Sequence, residues 1–93
     1  VGIRGQYRNK RDGNEKAIVA AFLAHGCSVE RMDVPADLLV GYRGQTHLVE
    51  VKQEGKRLNA KQREFEAAWR GDFEVVRSVD DVADLVAAWN NPD

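Results

Sequence analysis

Ninety-three residues, 43% hydrophobic and 31% charged, describe one small globular domain near the size at which a single core is only modestly stabilising, and a second domain is not expected among them. No apolar run approaches the roughly 20 residues that a bilayer span needs, so no membrane partner is expected, and no signal peptide is expected either. The single cysteine, Cys27, excludes an internal disulfide and a cysteine-based zinc cluster, suits a reducing cytoplasm, and reads as a small core residue.

The net charge of −1 hides an asymmetry. Residues 1–16 carry Arg4, Arg8, Lys10, Arg11 and Lys16 against Asp12 and Glu15, and residues 52–63 carry Lys52, Lys56, Arg57, Lys61 and Arg63 against Glu54. Residues 72–93 are acidic, with Asp72, Glu74, Asp80, Asp81, Asp84 and Asp93 against Arg77. Local fields steer partners more than totals do, so a polyanion should meet the front and middle of the chain.

In chain order, residues 1–11 lack periodicity and read as a basic arm, residues 12–90 as the domain, and residues 91–93 as a tail. Asp12 with Glu15 fits a capping box, Ile18, Val19, Phe22 and Leu23 form an apolar stripe, and Gly26 supplies the stop, which predicts a first helix over about 13–25. Glu15 lies at the first-turn end of the inward face. Cys27 to Asp33 reads as a first strand interrupted by Arg31, and Asp37 to Tyr42 as a second. Arg43-Gly44-Gln45 makes a short turn, and Thr46 to Gln53 returns as a third strand with Leu48, Glu50 and Lys52 on one face and His47, Val49 and Val51 on the other.

Glu54 to Arg57 is then a basic loop. Asn59 is an N-cap for a second helix to about Arg70, with Gln62, Phe65, Glu66 and Trp69 on its inward stripe and Gly71 at its end. Phe73 to Arg77 reads as a fourth strand, and Ser78 caps a last helix whose stripe is Val82, Leu85, Val86 and Trp89. The order is helix, three strands, helix, strand, helix. The second and third strands form a hairpin, while the second helix is a crossover long enough for parallel pairing of strands three and four. The expectation is an α/β fold, a four-stranded mixed sheet flanked by helices.

The hairpin folds Asp37 back towards Glu50 and Lys52, so two carboxylates and an ammonium converge among apolar neighbours, an arrangement that is costly unless the charges pair or hold an ion. Hard Mg²⁺ takes carboxylate, carbonyl and water oxygens, which Asp37, Glu50 and the Val51 carbonyl would supply. A metal so held acidifies a bound water and offsets charge on a phosphorane, with Lys52 holding the water or the scissile phosphate. Glu15 would ligate a second metal or hold a metal-bound water, and Gln62 would contact a phosphate or water. Taken singly, each feature has a structural reading: Glu-x-Lys on a strand is often a solvated salt bridge, and Gln62 a surface amide. Their combination, with Lys56, Arg57, Lys61 and Arg63 following, points to phosphodiester chemistry. His47 falls on the face opposite Glu50 and His25 closes the first helix, so neither suggests a triad or zinc site, and both read as structural. Trp69 and Trp89 read as core or interface rather than base-stacking platforms.

At these residues the chain resembles the PD-(D/E)XK nuclease superfamily, in particular its small VRR-NUC and archaeal-type Holliday junction resolvase branches, over residues 11 to about 86. The motif Asp falls on Asp37, the Glu-x-Lys on Glu50-Val51-Lys52, the helix-borne Glu on Glu15 and the downstream Gln on Gln62. Asp37 to Gly44 and Ala68-Trp69-Arg70-Gly71 resemble small phage or prophage members. The usual motif reads Pro-Asp, whereas Ala36 here separates Pro35 from Asp37; because the Asp does the chemistry, metal binding is expected to survive. The resemblance implies a restriction-endonuclease-like αβββαβα core, Mg²⁺ or Mn²⁺ as cofactor with no small-molecule organic cofactor, DNA as substrate, and a homodimer working in the cytoplasm of a bacterial host. Arg8, Lys10, Arg11, Lys56, Arg57, Lys61 and Arg63 are the expected phosphate grips, with little base readout. The alternative is a catalytically silent nuclease-fold module that binds nucleic acid or protein.

Overall fold

A computed structural model describes residues 13–91. The basic arm with Arg8, Lys10 and Arg11, the expected capping residue Asp12, and residues 92–93 of the tail lie outside the described residues. The elements run α1 (Glu15–Ala24), β1 (Ser28–Arg31), β2 (Leu38–Tyr42), β3 (Gln45–Val51), α2 (Ala60–Ala68), β4 (Phe73–Val76) and α3 (Val79–Asn90). The four strands form one mixed sheet in the order β1-β2-β3-β4. β1 with β2 and β2 with β3 are antiparallel, and β3 with β4 is parallel across the α2 crossover.

The register sorts the side chains. Leu38 pairs with Val49 and Val40 with His47, while Leu39 pairs with Leu48 on the other face. Leu38, Val40, Val49, Val51 and Val76 join Ile18 and Phe22 of α1 and Val82 and Val86 of α3 in the core. Each of the larger side chains here is worth about 1.5–3 kcal/mol on burial. Glu50 and Phe73 turn to the opposite face, which α2 meets through Gln62 and Phe65. The fold is thus anchored by one face of the sheet, and the other is left to α2, none of whose residues is fully buried.

Local signals explain the boundaries. α1 ends in a Schellman arrangement, with Gly26 at φ 86°, its N–H donating to Leu23 O and the Cys27 N–H to Phe22 O. Its start differs from the expected Asp12–Glu15 box: Asn14 is the N-cap residue, makes no side-chain cap, and sends its amide across the molecule instead. The hairpin closes through two residues, Arg43 and Gly44 at φ 51° and 82°, because both left-handed positions match the strand twist, and Gln45 already pairs with Tyr42. Ser78 caps α3 by accepting from the Asp81 N–H, as its position suggested.

The end of α2 differs from expectation. The helix stops at Ala68, and Trp69 is already extended (φ −75°, ψ 130°), so its ring leaves the helical stripe and 46% of the residue is exposed. Gly71 is therefore not the helix stop; a Cβ there would lie 2.7 Å from the Trp69 indole Nε1, which makes a side chain at that position incompatible with the ring.

Candidate functional site

The loop from Met32 to Asp37 brings the chain from β1 into β2, and the Met32 N–H donates to Asp37 O at 2.8 Å. Val34-Pro35 is a cis peptide and Ala36 is fully buried, so the residue that separates Pro35 from Asp37 is a core anchor. Continuing the β2–β3 register one step beyond Leu38 and Val49 sets Asp37 opposite Glu50. Asp37 Oδ2 accepts the Val51 N–H at 2.9 Å, which fixes the carboxylate against the third strand at this point.

Glu50 is buried, and Gln62 Nε2 donates to its Oε2 at 2.8 Å. The same oxygen lies 3.8 Å from Lys52 Nζ. β3 ends at Val51, yet the Lys52 N–H still donates to Val76 O at 3.0 Å, so the extended path continues and keeps Lys52 on the Glu50 side. Gln62 reaches Glu50 because its backbone is fixed by a complete capping box. Asn59 Oδ1 accepts the Gln62 N–H, and Gln62 Oε1 accepts the Asn59 N–H, both at 2.9 Å. One amide thus caps α2 with its oxygen and holds Glu50 with its nitrogen.

The electrostatics follow from this crowding. Burial, then the Asp37 charge and a hydrogen bond to Asp37, push the Glu50 carboxyl up from 4.5 to about 8, against the pull of Lys52. Without a counter-cation, this crowding favours a proton held by the Glu50–Asp37 pair over two adjacent charges. A hard divalent cation is the natural replacement for such a proton, and two carboxylates beside a backbone carbonyl form an oxygen donor set of the kind Mg²⁺ accepts while keeping several waters. Among the described residues no three His, Cys, Asp or Glu side chains gather as a metal-holding group, so the pair, rather than a trio, is the nucleus of the site.

Glu15 is buried at the first turn of α1, on the inward face as expected, and lies 3.1 Å from Arg31 Nε, a pairing that the spacing in the sequence does not announce. Its helix begins at the same end of the sheet, because Asn14 Nδ2 donates to Lys52 O at 2.9 Å and to Arg77 O at 2.8 Å.

A cleft of about 650 Å³ opens on the carboxylate pair, lined by Pro35, Asp37, Glu50, Lys61, Gln62 and Phe65 among others. Lys61 stands in its wall with Asp33 and Glu64, while Lys56, Arg57 and Arg63 are exposed and do not line it. The Arg77 guanidinium donates to Lys56 O through Nε at 3.2 Å and Nη2 at 2.8 Å, and Arg63 donates to Leu58 O at 2.7 Å, so the basic loop is held in place.

His47 lies on the other face, as its strand parity required, but it has a carboxylate partner: Nδ1 meets Asp72 Oδ2, and the ring stacks on Trp89 at 3.7 Å. Burial and a hydrogen bond to Asp72 raise Glu74 next to it to about 7. No sequence spacing announces this cluster, because Asp72 is 25 residues from His47. Trp89 also packs near Phe22 and Tyr42, half-buried against the edge of the core. No family model matches the chain, and comparisons with curated proteins and with solved structures find no match.

Proposed function

We propose that this chain is a Mg²⁺- or Mn²⁺-dependent DNA endonuclease that hydrolyses phosphodiester bonds, with a restriction-endonuclease-like arrangement of its αβββαβα elements. The observation that carries the reading is the cross-strand meeting of Asp37 and Glu50, with Lys52 and Gln62 both on Glu50 Oε2, at a cleft that Lys61 also lines. The meeting of these four side chains, dispersed in the sequence, supports the reading that the PD-(D/E)XK resemblance suggests.

Asp37 and Glu50, with the Val51 carbonyl, would hold the metal. When bound, the ion would supply a more acidic water and a counter-charge for the phosphorane. Asp37 is kept in place by the Val51 amide and Glu50 by Gln62, so the carboxylates are oriented before any ion arrives. Lys52, one side chain away from Glu50, would hold the scissile phosphate or the attacking water and stabilise negative charge as it grows. Glu15 would assist from the start of α1, next to Arg31. Lys56, Arg57, Lys61 and Arg63, with Arg8, Lys10 and Arg11 of the arm, would grip phosphates. A homodimer in the cytoplasm of a bacterial host, bringing two such sites to a branched substrate, fits this reading.

The test is cleavage of labelled linear, nicked, flapped and four-way-junction DNA with Mg²⁺, Mn²⁺ or EDTA. Metal-dependent cutting is expected, lost in Asp37→Asn and reduced about 10²–10³-fold in Lys52→Ala. DNA binding without cleavage under either metal, or an Asp37→Asn variant that cuts at the parent rate, would overturn the proposal.

A further inference from the structure

Trp69 is a large, half-exposed aromatic residue whose surroundings hold it still. Phe65 stacks against its ring at 5.3 Å between centroids and 22° between planes, and Phe65 in turn packs edge-on against Phe73 of β4 at 5.5 Å. The Nε1 side of the indole lies over Gly71, where an added Cβ would come within 2.7–3.3 Å of three ring atoms. One face and one edge are thus occupied, and 46% of the residue remains exposed. An indole packed on one side and open to solvent on the rest offers apolar, π-bearing area to a ligand.

Its position suggests that use. Phe65, the ring beneath Trp69, also lines the carboxylate cleft. Gln62, which holds Glu50, precedes Trp69 by two turns of helix, about 10 Å along the axis. The segment 56–70 around them carries Lys56, Arg57, Lys61, Arg63 and Arg70 against Glu64 and Glu66, a net positive surface suited to a polyanion.

We propose that Trp69 is a stacking platform for an unpaired nucleobase, so that the cleft takes nucleic acid with a single-stranded segment next to the scissile phosphate. The proposal rests on the nuclease reading for the identity of the ligand, and adds that the substrate is single-stranded where it meets α2. A base within a duplex already has both faces covered by its neighbours and offers none to the indole. An unpaired base stacks on an aromatic ring with little regard to its identity.

Because the platform makes no phosphate contact, its removal has a signature distinct from the loss of a cation. Affinity falls while the slope of log affinity against log salt stays the same, since that slope counts neutralised phosphates. The experiment measures binding of labelled oligothymidine and of a blunt duplex of equal length, in EDTA over a salt series, by the parent, Trp69→Ala, Trp69→Phe and Lys61→Ala proteins. Trp69→Ala is expected to bind oligothymidine about 5- to 100-fold more weakly with an unchanged salt slope and unchanged duplex affinity. Trp69→Phe should keep most of the affinity, and Lys61→Ala should flatten the slope on both ligands.

Absence of parental binding to oligothymidine, equal losses on single strand and duplex, or a drop in mass from dimer to monomer on Trp69→Ala would overturn the proposal, the last by assigning the ring to a second copy of the chain. Cleavage is assayed separately with Mg²⁺. If nothing is cut but the stacking signature is present, the nuclease reading fails and the platform stands; if the parent cuts and Trp69→Ala binds and cuts unchanged, the platform fails alone.

Discussion

Asp37 and Glu50 face each other across the β2–β3 ladder, one step past the Leu38–Val49 pair, and Asp37 is held there by the Val51 amide at 2.9 Å. The strands that build the core therefore also set the distance between the two carboxylates. Their proximity has a cost in the metal-free protein, since burial and Asp37 oppose ionisation of Glu50.

That cost gives a pH signature. Below pH about 4.5 the Glu50 carboxyl is neutral in both states and costs nothing; between there and about 8 the unfolded chain releases a proton that the fold retains, so stability falls as pH rises and levels off above about 8. Urea denaturation in EDTA across this window should show the fall, and Glu50→Gln should remove much of it, leaving the variant more stable than the parent by about 1–3 kcal/mol at the alkaline end. Glu74, raised to about 7 on the opposite face, adds a smaller fall over its own range, which Glu74→Gln should remove independently. An unchanged slope in Glu50→Gln would show that Glu50 ionises normally.

Metal binding should displace the proton that Glu50 keeps. Isothermal titration with Mg²⁺ or Mn²⁺ at neutral pH, in two buffers of different ionisation enthalpy, is expected to report proton release, with affinity rising up to about tenfold per pH unit until about 8. By mass action, saturating metal should raise the parent's melting temperature but not that of Asp37→Asn. Affinity that stays flat through this pH window would separate the ion from Glu50.

Gln62 has two roles, and two substitutions separate them. Gln62→Ala removes the side-chain half of the capping box, the acceptor for the Asn59 N–H, while the residue-62 N–H still donates to Asn59 Oδ1; it should cost about 0.5–1 kcal/mol of stability, while also freeing Glu50 and lowering metal affinity or cleavage about 10- to 100-fold. Gln62→Glu keeps the acceptor for the Asn59 N–H but replaces the donor to Glu50 with a carboxylate. Helix stability should then survive, while metal-free stability at pH about 8 drops through like-charge repulsion. Equal behaviour of the two variants in denaturation and metal titration would contradict this division.

These relationships differ in how far the sequence announces them. The strands and helices follow from alternation in Asp37–Tyr42 and Thr46–Val51 and from the helical stripes of α1 and α3, and the Asp37, Glu50 and Lys52 convergence follows from strand parity and a short hairpin turn, which the fold closes over two residues rather than the three expected, Arg43-Gly44-Gln45. Gln62 was legible because it falls on the helical stripe that starts after the Asn59 N-cap; the capping box that fixes its phase is seen only in the fold. What stayed hidden are polar contacts between residues far apart in the chain: Arg31 on Glu15, Asp72 on His47, and the Arg77 guanidinium on the Lys56 carbonyl. No local periodicity encodes such pairs, since they depend on how whole elements dock. Trp69 was misread because the helix was expected to continue beyond Ala68; one extended residue turned a stripe position outward.

Asn14 is the sharpest of the hidden contacts, because one side chain ties three elements together. Its Nδ2 donates to Lys52 O just past β3 and to Arg77 O just past β4, and the residue itself opens α1. Asn14→Ala would strip a donor from two partly buried carbonyls and is expected to cost about 2 kcal/mol in urea denaturation. It should also loosen the start of α1, where Glu15 meets Arg31, so cleavage measured well below the melting temperature should fall more than for Ala20→Gly, an exposed change in the same helix whose cost is about 1 kcal/mol of helix propensity. If Asn14→Ala lost no more stability or activity than Ala20→Gly, the Asn14 contacts would be incidental and the alignment of α1 with the site would have another source.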